Sequence, residues 1–232
     1  RKCCDRRSSK GIDRDKSGSY TADKVIVATG GCSYQSTGST GDGYRFAKDA
    51  DIKVTKCYPS LVPFNIDSDI PKRLQGLSLR NVKVTLYDKG KVLYEELGEM
   101  LFTHFGVSGP LVLSASTLAS GKDVSQMELS IDLKPALSKE QLDERILRDF
   151  SENRNSYFKN SLSRLLPAKM IPVIVELSEI DEKKQVNNIT KEERNRLVNL
   201  LKGLTFKVES LRGFNEAIIT KGGVSVKEIN PG

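Results

Sequence analysis

Two groups of glycines flanked by hydroxyl side chains carry the types and spacing that could do chemistry. Ala28-Thr29-Gly30-Gly31 follows the apolar run Val25-Ile26-Val27, and Gly38, Thr40, Gly41, Asp42 and Gly43 follow within a dozen residues. Glycine has no Cβ, so backbone can approach a phosphate or sugar closely and can take left-handed conformations. One Gly-Gly pair after a strand reads equally well as a tight turn. The two groups together, leading into a helix, form a compound signal for nucleotide contact. The fingerprint G-x-G-x-x-G is absent, because Gly38-Ser39-Thr40-Gly41-Asp42-Gly43 has the wrong spacing, and so is G-x-x-x-x-G-K-[ST]. The element that grips a pyrophosphate is therefore not among these residues.

His104 is the single histidine and so the one side chain whose ordinary pKa lies near neutrality, which suits it to proton transfer. An equally good reading makes Thr103-His104-Phe105-Gly106-Val107-Ser108-Gly109-Pro110 the shaped entry to a helix over 111–118, with Ser108 as its N-cap and Pro110 in its first turn. Gly106-Val107-Ser108-Gly109 is not G-x-S-x-G, which disfavours a serine hydrolase. Cys3, Cys4, Cys32 and Cys57 form no C-x-x-C pair, so with one histidine no metal site is expected. Cys32 has no resolving cysteine near it in sequence and reads as a small packing thiol.

The elements that must position these residues follow from pattern. Val25–Val27 reads as a buried parallel strand that ends in the glycine turn, and Phe46, Ala47 and Ala50 mark one face of the helix after it. From 79 the texture is β. Val82, Val84 and Leu86 alternate, Asp88-Lys89-Gly90 supplies a hairpin turn, Val92 and Tyr94 alternate again, and so do Met127, Leu129, Ile131 and Leu133. Ser138 stands three residues before Gln141, a capping-box spacing, and opens a helix with Leu142, Ile146, Leu147 and Phe150 inward. Thr190 with Glu193 forms a second box before Leu197, Leu200 and Leu201, and Gly203 offers a stop. Thr190 as a cap also accounts for the sequon-like Asn188-Ile189-Thr190. Phe206 and Val208, then 217–220, read as strands, with Gly222-Gly223 as a turn.

The 232 residues carry 37 Lys and Arg against 30 Asp and Glu, a formal charge of +7. Seven of the basic residues lie in the first sixteen positions among three acids, so the excess is largely terminal. Aromatic interleaving is lacking, and no nucleic-acid partner is expected. No run approaches the roughly 20 apolar residues of a membrane span, and no membrane partner is expected. Free thiols without a signal-like segment fit a reducing cytoplasm. A start on Arg1 and an end on Asn230-Pro231-Gly232, just after a strand-like segment, read as a piece of a longer protein.

The runs 22–43, 102–110 and 217–224, in this order, resemble the BaiN/YhiN-like bacterial flavoproteins, the family that includes aminoacetone oxidase-type enzymes. Ala-Thr-Gly-Gly followed by Thr-Gly-Asp-Gly is also similar to the succinate dehydrogenase and fumarate reductase flavoprotein group. The resemblance implies α/β plus α+β architecture: the edge of an FAD-binding Rossmann-like domain, interrupted by an inserted β-rich domain that carries a helical subdomain. On that map 1–50 and 221–232 belong to the FAD domain, 51–137 and 204–220 to the β-rich domain, and 138–203 to the helical one. The positions implied for FAD contact are Ala28, Thr29, Gly30, Gly31, Gly38, Thr40, Gly41, Asp42 and Gly43, joined by Gly222 and Gly223, with His104 as the catalytic candidate. The expected activity of the full-length protein is FAD-dependent oxidation or reduction of a small-molecule substrate. NAD(P)H is left open as reductant and the oligomeric state is undetermined. The chain alone is expected to bind FAD weakly and to be inactive. The alternative is a non-enzymatic ligand- or partner-binding module.

Overall fold

The protein is described by a computed structural model over residues 11–15 and 18–229. In chain order the elements are β1 (Gly11–Asp15), β2 (Gly18–Ala22), α1 (Asp42–Asp49), β3 (Val54–Ser60), β4 (Phe64–Ile66), α2 (Ile70–Arg73), β5 (Ser78–Asp88), β6 (Lys91–Phe102), β7 (Gly106–Ser108), α3 (Pro110–Ala119), β8 (Met127–Asp132), α4 (Lys139–Glu152), α5 (Phe158–Ser161), α6 (Ile171–Ser178), α7 (Lys191–Lys202), β9 (Leu204–Leu211) and β10 (Ile219–Val224). They form two compact units. One runs from Ser60 to Gly213, and the other comprises the described residues up to Pro59 together with those from Phe214 onward.

In the first of these units, β4, β7, β6, β5, β8 and β9 close into a barrel, each neighbouring pair antiparallel. The alternation of apolar residues dictates which face turns inward. Val84 lies opposite Ile131 and Leu86 opposite Leu129, while Leu129 and Ile131 face Phe206 and Leu204 on their other side. All are buried. Phe102 and Phe206 meet edge to face across the interior, centroids 6.3 Å apart. The β5–β6 turn places Lys89 and Gly90 at φ 51° and 76°, the left-handed pair that a tight hairpin requires.

α3 lies on β6, where Gly98 admits it: a Cβ there would stand 3.0 Å from Leu111 Cδ2. Its N-cap is Gly109, at φ 95°, rather than Ser108. A Cβ at 109 would come 2.9 Å from Met100 Cα, so close approach to the sheet selects glycine at the cap.

The helical segment follows β8. Both capping boxes form: Ser138 and Gln141 exchange side-chain and backbone bonds (3.2 and 2.9 Å), as do Thr190 and Glu193 (3.2 and 2.8 Å). Leu142, Ile146, Phe150, Leu197 and Leu201 are buried, whereas Leu147 is 43% exposed. It sits one residue past Ile146, about 100° round the helix and off the packed stripe. Lys202 Nζ bonds Asp132 Oδ2 (2.7 Å), Lys134 O (3.0 Å) and Leu137 O (2.6 Å), fastening the end of α7 to the β8–α4 connection.

The other unit holds the β1–β2 hairpin, α1 and a two-stranded ladder of β3 with β10. Two expectations fail here. Val25–Val27 contributes an isolated bridge at Ile26 instead of a strand, and all three side chains are exposed. Gly222 and Gly223 lie inside β10, not in a turn. On α1, Ala47 is buried but Phe46 is 43% exposed, under the Arg45 guanidinium at 5.3 Å. Among the described residues no helix is long and apolar enough to cross a membrane.

Candidate functional site

The glycine segment is organised around hydroxyl groups and one ring. Thr29 Oγ1 accepts the Gly43 N–H at 3.0 Å, joining the end of the apolar run to the first turn of α1. A Cβ on Gly43 would stand 2.5 Å from that oxygen, and one on Gly30, at φ 71°, would stand 2.6 Å from Ser39 Oγ. Thr220 Oγ1 on β10 accepts from Cys32 N–H at 2.9 Å and lies 3.0 Å from Ser33 Oγ. A Cβ on Gly31 would meet it at 2.7 Å. Glycine at 30, 31 and 43 is thus demanded by packing within the chain itself. At Gly38 a Cβ would meet nothing within 4 Å, and Ala28, Gly30, Gly38 and Thr40 are exposed, leaving bare backbone at the surface.

α1 begins at Asp42 with Gly41 as N-cap, at φ 81°. Thr40 Oγ1 donates to Asp42 Oδ2 at 2.7 Å, so a carboxylate and a hydroxyl stand at the helix N-terminus where its free N–H groups gather. That carboxylate already occupies part of the positive end of the helix. The site therefore suits hydroxyl-bearing ligand atoms better than a further anion.

Sequence reasoning missed Tyr44. Its ring and hydroxyl lie beside three of the predicted glycines: Cβ atoms built on Gly31, Gly41 and Gly223 would approach it at 3.1, 3.4 and 2.6 Å. Gly222, at φ 91°, brings β10 so near β3 that a Cβ would stand 2.2 Å from Lys56 O. Burial pushes the Tyr44 phenol above its ordinary value, and Cys57 and Cys32 act in the same direction. Burial also raises the Cys57 thiol, as does Cys32. An aromatic residue directly after the T-G-D-G run was the available signal, but only the fold brings Gly223 to it.

His104 belongs to the barrel unit and is exposed, its ring edge-on to Phe105 at 4.9 Å. Thr103 N–H donates to Gly106 O (2.9 Å) and Ile66 N–H to Phe105 O (3.2 Å), so the loop tip is held from both sides. A Cβ on Gly106 would stand 2.1 Å from Phe64 O. The Arg212 guanidinium stacks 4.4 Å from the Phe105 centroid. The barrel unit also holds a cavity of about 390 Å3 lined by Lys83, Thr85, Glu95, Ser130, Asp132 and Lys202. Among the described residues no group of three or more His, Cys, Asp or Glu could hold a metal ion.

A six-stranded antiparallel barrel that carries a capped helical segment between β8 and β9 defines the class of protein. The profile of the HI0933-like protein barrel and H2TH domain matches residues 58–219, and the chain belongs to that family, the BaiN/YhiN group. It is similar to the 3-dehydro-bile acid delta(4,6)-reductase of Clostridium scindens, 27% identical over 91% of this chain and 52% of the relative. It is also similar to the ribosomal RNA dihydrouridine synthases of Haemophilus influenzae, 33% identical over 89% of this chain and 49% of the relative, and of Escherichia coli, 26% identical over 90% and 50%. The chain spans about half the length of these curated relatives.

Proposed function

We propose that the whole protein is an FAD-dependent oxidoreductase and that this chain supplies one wall of its flavin site. The observation that carries this reading is the exposed backbone at Ala28, Gly30 and Gly38 beside the Gly41-capped start of α1. The residues fit the sugar and ring portions of the cofactor. Bare backbone admits close approach, and Thr40 with Asp42 offers partners for hydroxyl groups. The chain lacks G-x-G-x-x-G, so pyrophosphate contact is assigned to residues outside it. Bound FAD would supply the hydride chemistry; the protein contributes binding and orientation. Thr29, through Gly43 N–H, and Thr220, through Cys32 N–H, fix the geometry of this wall. His104, exposed on a loop held on both sides, is the proton-transfer candidate.

One relative is named as a reductase of a 3-dehydro-bile acid and two as ribosomal RNA dihydrouridine synthases. We assign this protein a reductive role on a small molecule, in the cytoplasm, without nucleic-acid or membrane partners. The test is flavin fluorescence and visible spectroscopy on the full-length protein and on this chain, each titrated with FAD. Stoichiometric binding by the full-length protein that weakens at least tenfold in Gly41→Val, with weak binding and no turnover by the chain alone, is the expected result. Unchanged binding in Gly41→Val removes the reading in favour of a non-enzymatic binding module. Turnover of RNA but of no small-molecule alkene replaces the substrate class.

A further inference from the structure

We propose that Cys32 and Cys57 form a redox-active dithiol that a low-molecular-weight disulfide closes into an intramolecular disulfide. The two thiols are 25 positions apart in sequence, and both are free and half-buried. One strand brings them together. Cys32 is held by its N–H on Thr220 Oγ1 of β10 at 2.9 Å. Two residues further along β10, Gly222 passes β3 so closely that a Cβ there would stand 3.4 Å from Cys57 Cα. Tyr44 completes the cluster. A Cβ built on Gly41 would lie 3.2 Å from Cys32 Sγ and 3.4 Å from the Tyr44 ring, and, after burial, the Cys57 and Cys32 thiols both raise the Tyr44 phenol. All of these residues lie within one compact unit.

The chemistry is two exchanges. The Cys32 thiolate, its proton released to solvent, attacks one sulfur of glutathione disulfide; the S–S bond breaks, a mixed disulfide forms, and one glutathione leaves as a thiolate that takes up a proton. The Cys57 thiol then loses its proton to solvent and attacks the Cys32 sulfur of the mixed disulfide; that S–S bond breaks, and the second glutathione leaves as a thiolate that takes up a proton. Two protein thiols are oxidised by two electrons, and one small disulfide is reduced to two thiols. Burial raises the Cys57 thiol, which suits it to the second, resolving step, where the attack is intramolecular. The cross-link ties the glycine segment ahead of α1 to strand β3, with α1 inside the closed ring.

The experiment equilibrates the full chain, with Cys3→Ser and Cys4→Ser, in glutathione buffers of increasing oxidation, followed by acid quench, alkylation, tryptic digestion and mass spectrometry. Trypsin places the two thiols on peptides 25–45 and 57–72. The expected result is a joined pair of these peptides, lighter by two hydrogens than their sum, which becomes the main species as the buffer is made more oxidising. Cys32→Ser and Cys57→Ser should each stop at a single glutathione adduct. Separate adducts on both cysteines without the joined species, or two alkylated thiols at the most oxidising ratio, overturn the proposal. The same mapping on the unaltered chain gives this readout independently of the two serine substitutions.

Discussion

Thr29 and Gly43 are locked together by one oxygen: Thr29 Oγ1 accepts the Gly43 N–H at 3.0 Å and occupies the space a Cβ on Gly43 would need, at 2.5 Å. The bond orients the start of α1 against the glycine turn, and it requires both a hydroxyl at 29 and the absence of a side chain at 43. Gly43→Ala is therefore expected to cost about 1–3 kcal/mol through overpacking. Thr29→Val should cost about 1–3 kcal/mol by leaving the N–H without its acceptor. Because both changes act on one contact, the double variant should cost clearly less than the sum, read from urea unfolding of the four proteins. Strict additivity would show that the two residues act separately.

Lys202 is the node between barrel and helices. With its side chain 13% exposed and bonded to Asp132 and to two carbonyls, Lys202→Met should cost about 2–4 kcal/mol, since it strands a carboxylate that is itself 8% exposed. Asp132→Asn should cost less, because the ammonium keeps its two carbonyl partners. Chemical denaturation of both variants checks the order, and the reverse order contradicts the assignment.

Tyr94 on β6 donates to Glu96 Oε2 at 3.0 Å, and its phenol pKa is raised from 10.0 to about 12, by burial first and then by that carboxylate. A phenol raised in the folded state resists ionisation there. The stability this represents is fully present below pH 10 and lost as pH rises through about 12. Ultraviolet difference titration should show a late component among the seven tyrosines that is lost in Tyr94→Phe and kept in Tyr44→Phe.

Glu193 closes the box at the start of α7 and pairs with Lys184 Nζ at 2.7 Å; that ammonium first, and the Thr190 N–H next, hold its carboxyl below the ordinary 4.5. Its pKa is depressed on folding, so the contribution is present above that ordinary value and lost as pH falls through the lowered one. Glu193→Gln should lower the urea midpoint at neutral pH and flatten its fall in acid, whereas Thr190→Ala should cost about 1 kcal/mol. Parallel acid profiles for the wild type and Glu193→Gln would count against this account.

The parts of the molecule that sequence alone determined are those whose partners lie a few positions away. Ser138 with Gln141 and Thr190 with Glu193 satisfy helix-end donors within one turn, and Asp88-Lys89-Gly90 supplies the two left-handed positions of its own hairpin. Period-two patterning of Val82, Val84 and Leu86 chose the inward face of β5 without reference to what it would meet. The three separated motifs were enough to indicate the family. What only the tertiary structure decided depends on contacts between distant segments. Gly222 and Gly223 read as a turn, yet they sit in a strand because β10 must pass within contact of Lys56 and Tyr44. Ser108 read as a cap, but the nearness of Met100 transferred that place to Gly109. Val25–Val27 carries the pattern of a buried strand, but burial depends on neighbouring elements, and its side chains are exposed. Cys32 read as a solitary thiol because its neighbour Cys57 comes to it through β10, a strand nearly the whole chain away. Local hydrogen bonds and periodicity are written in consecutive residues, whereas close approach between segments depends on where the whole chain closes.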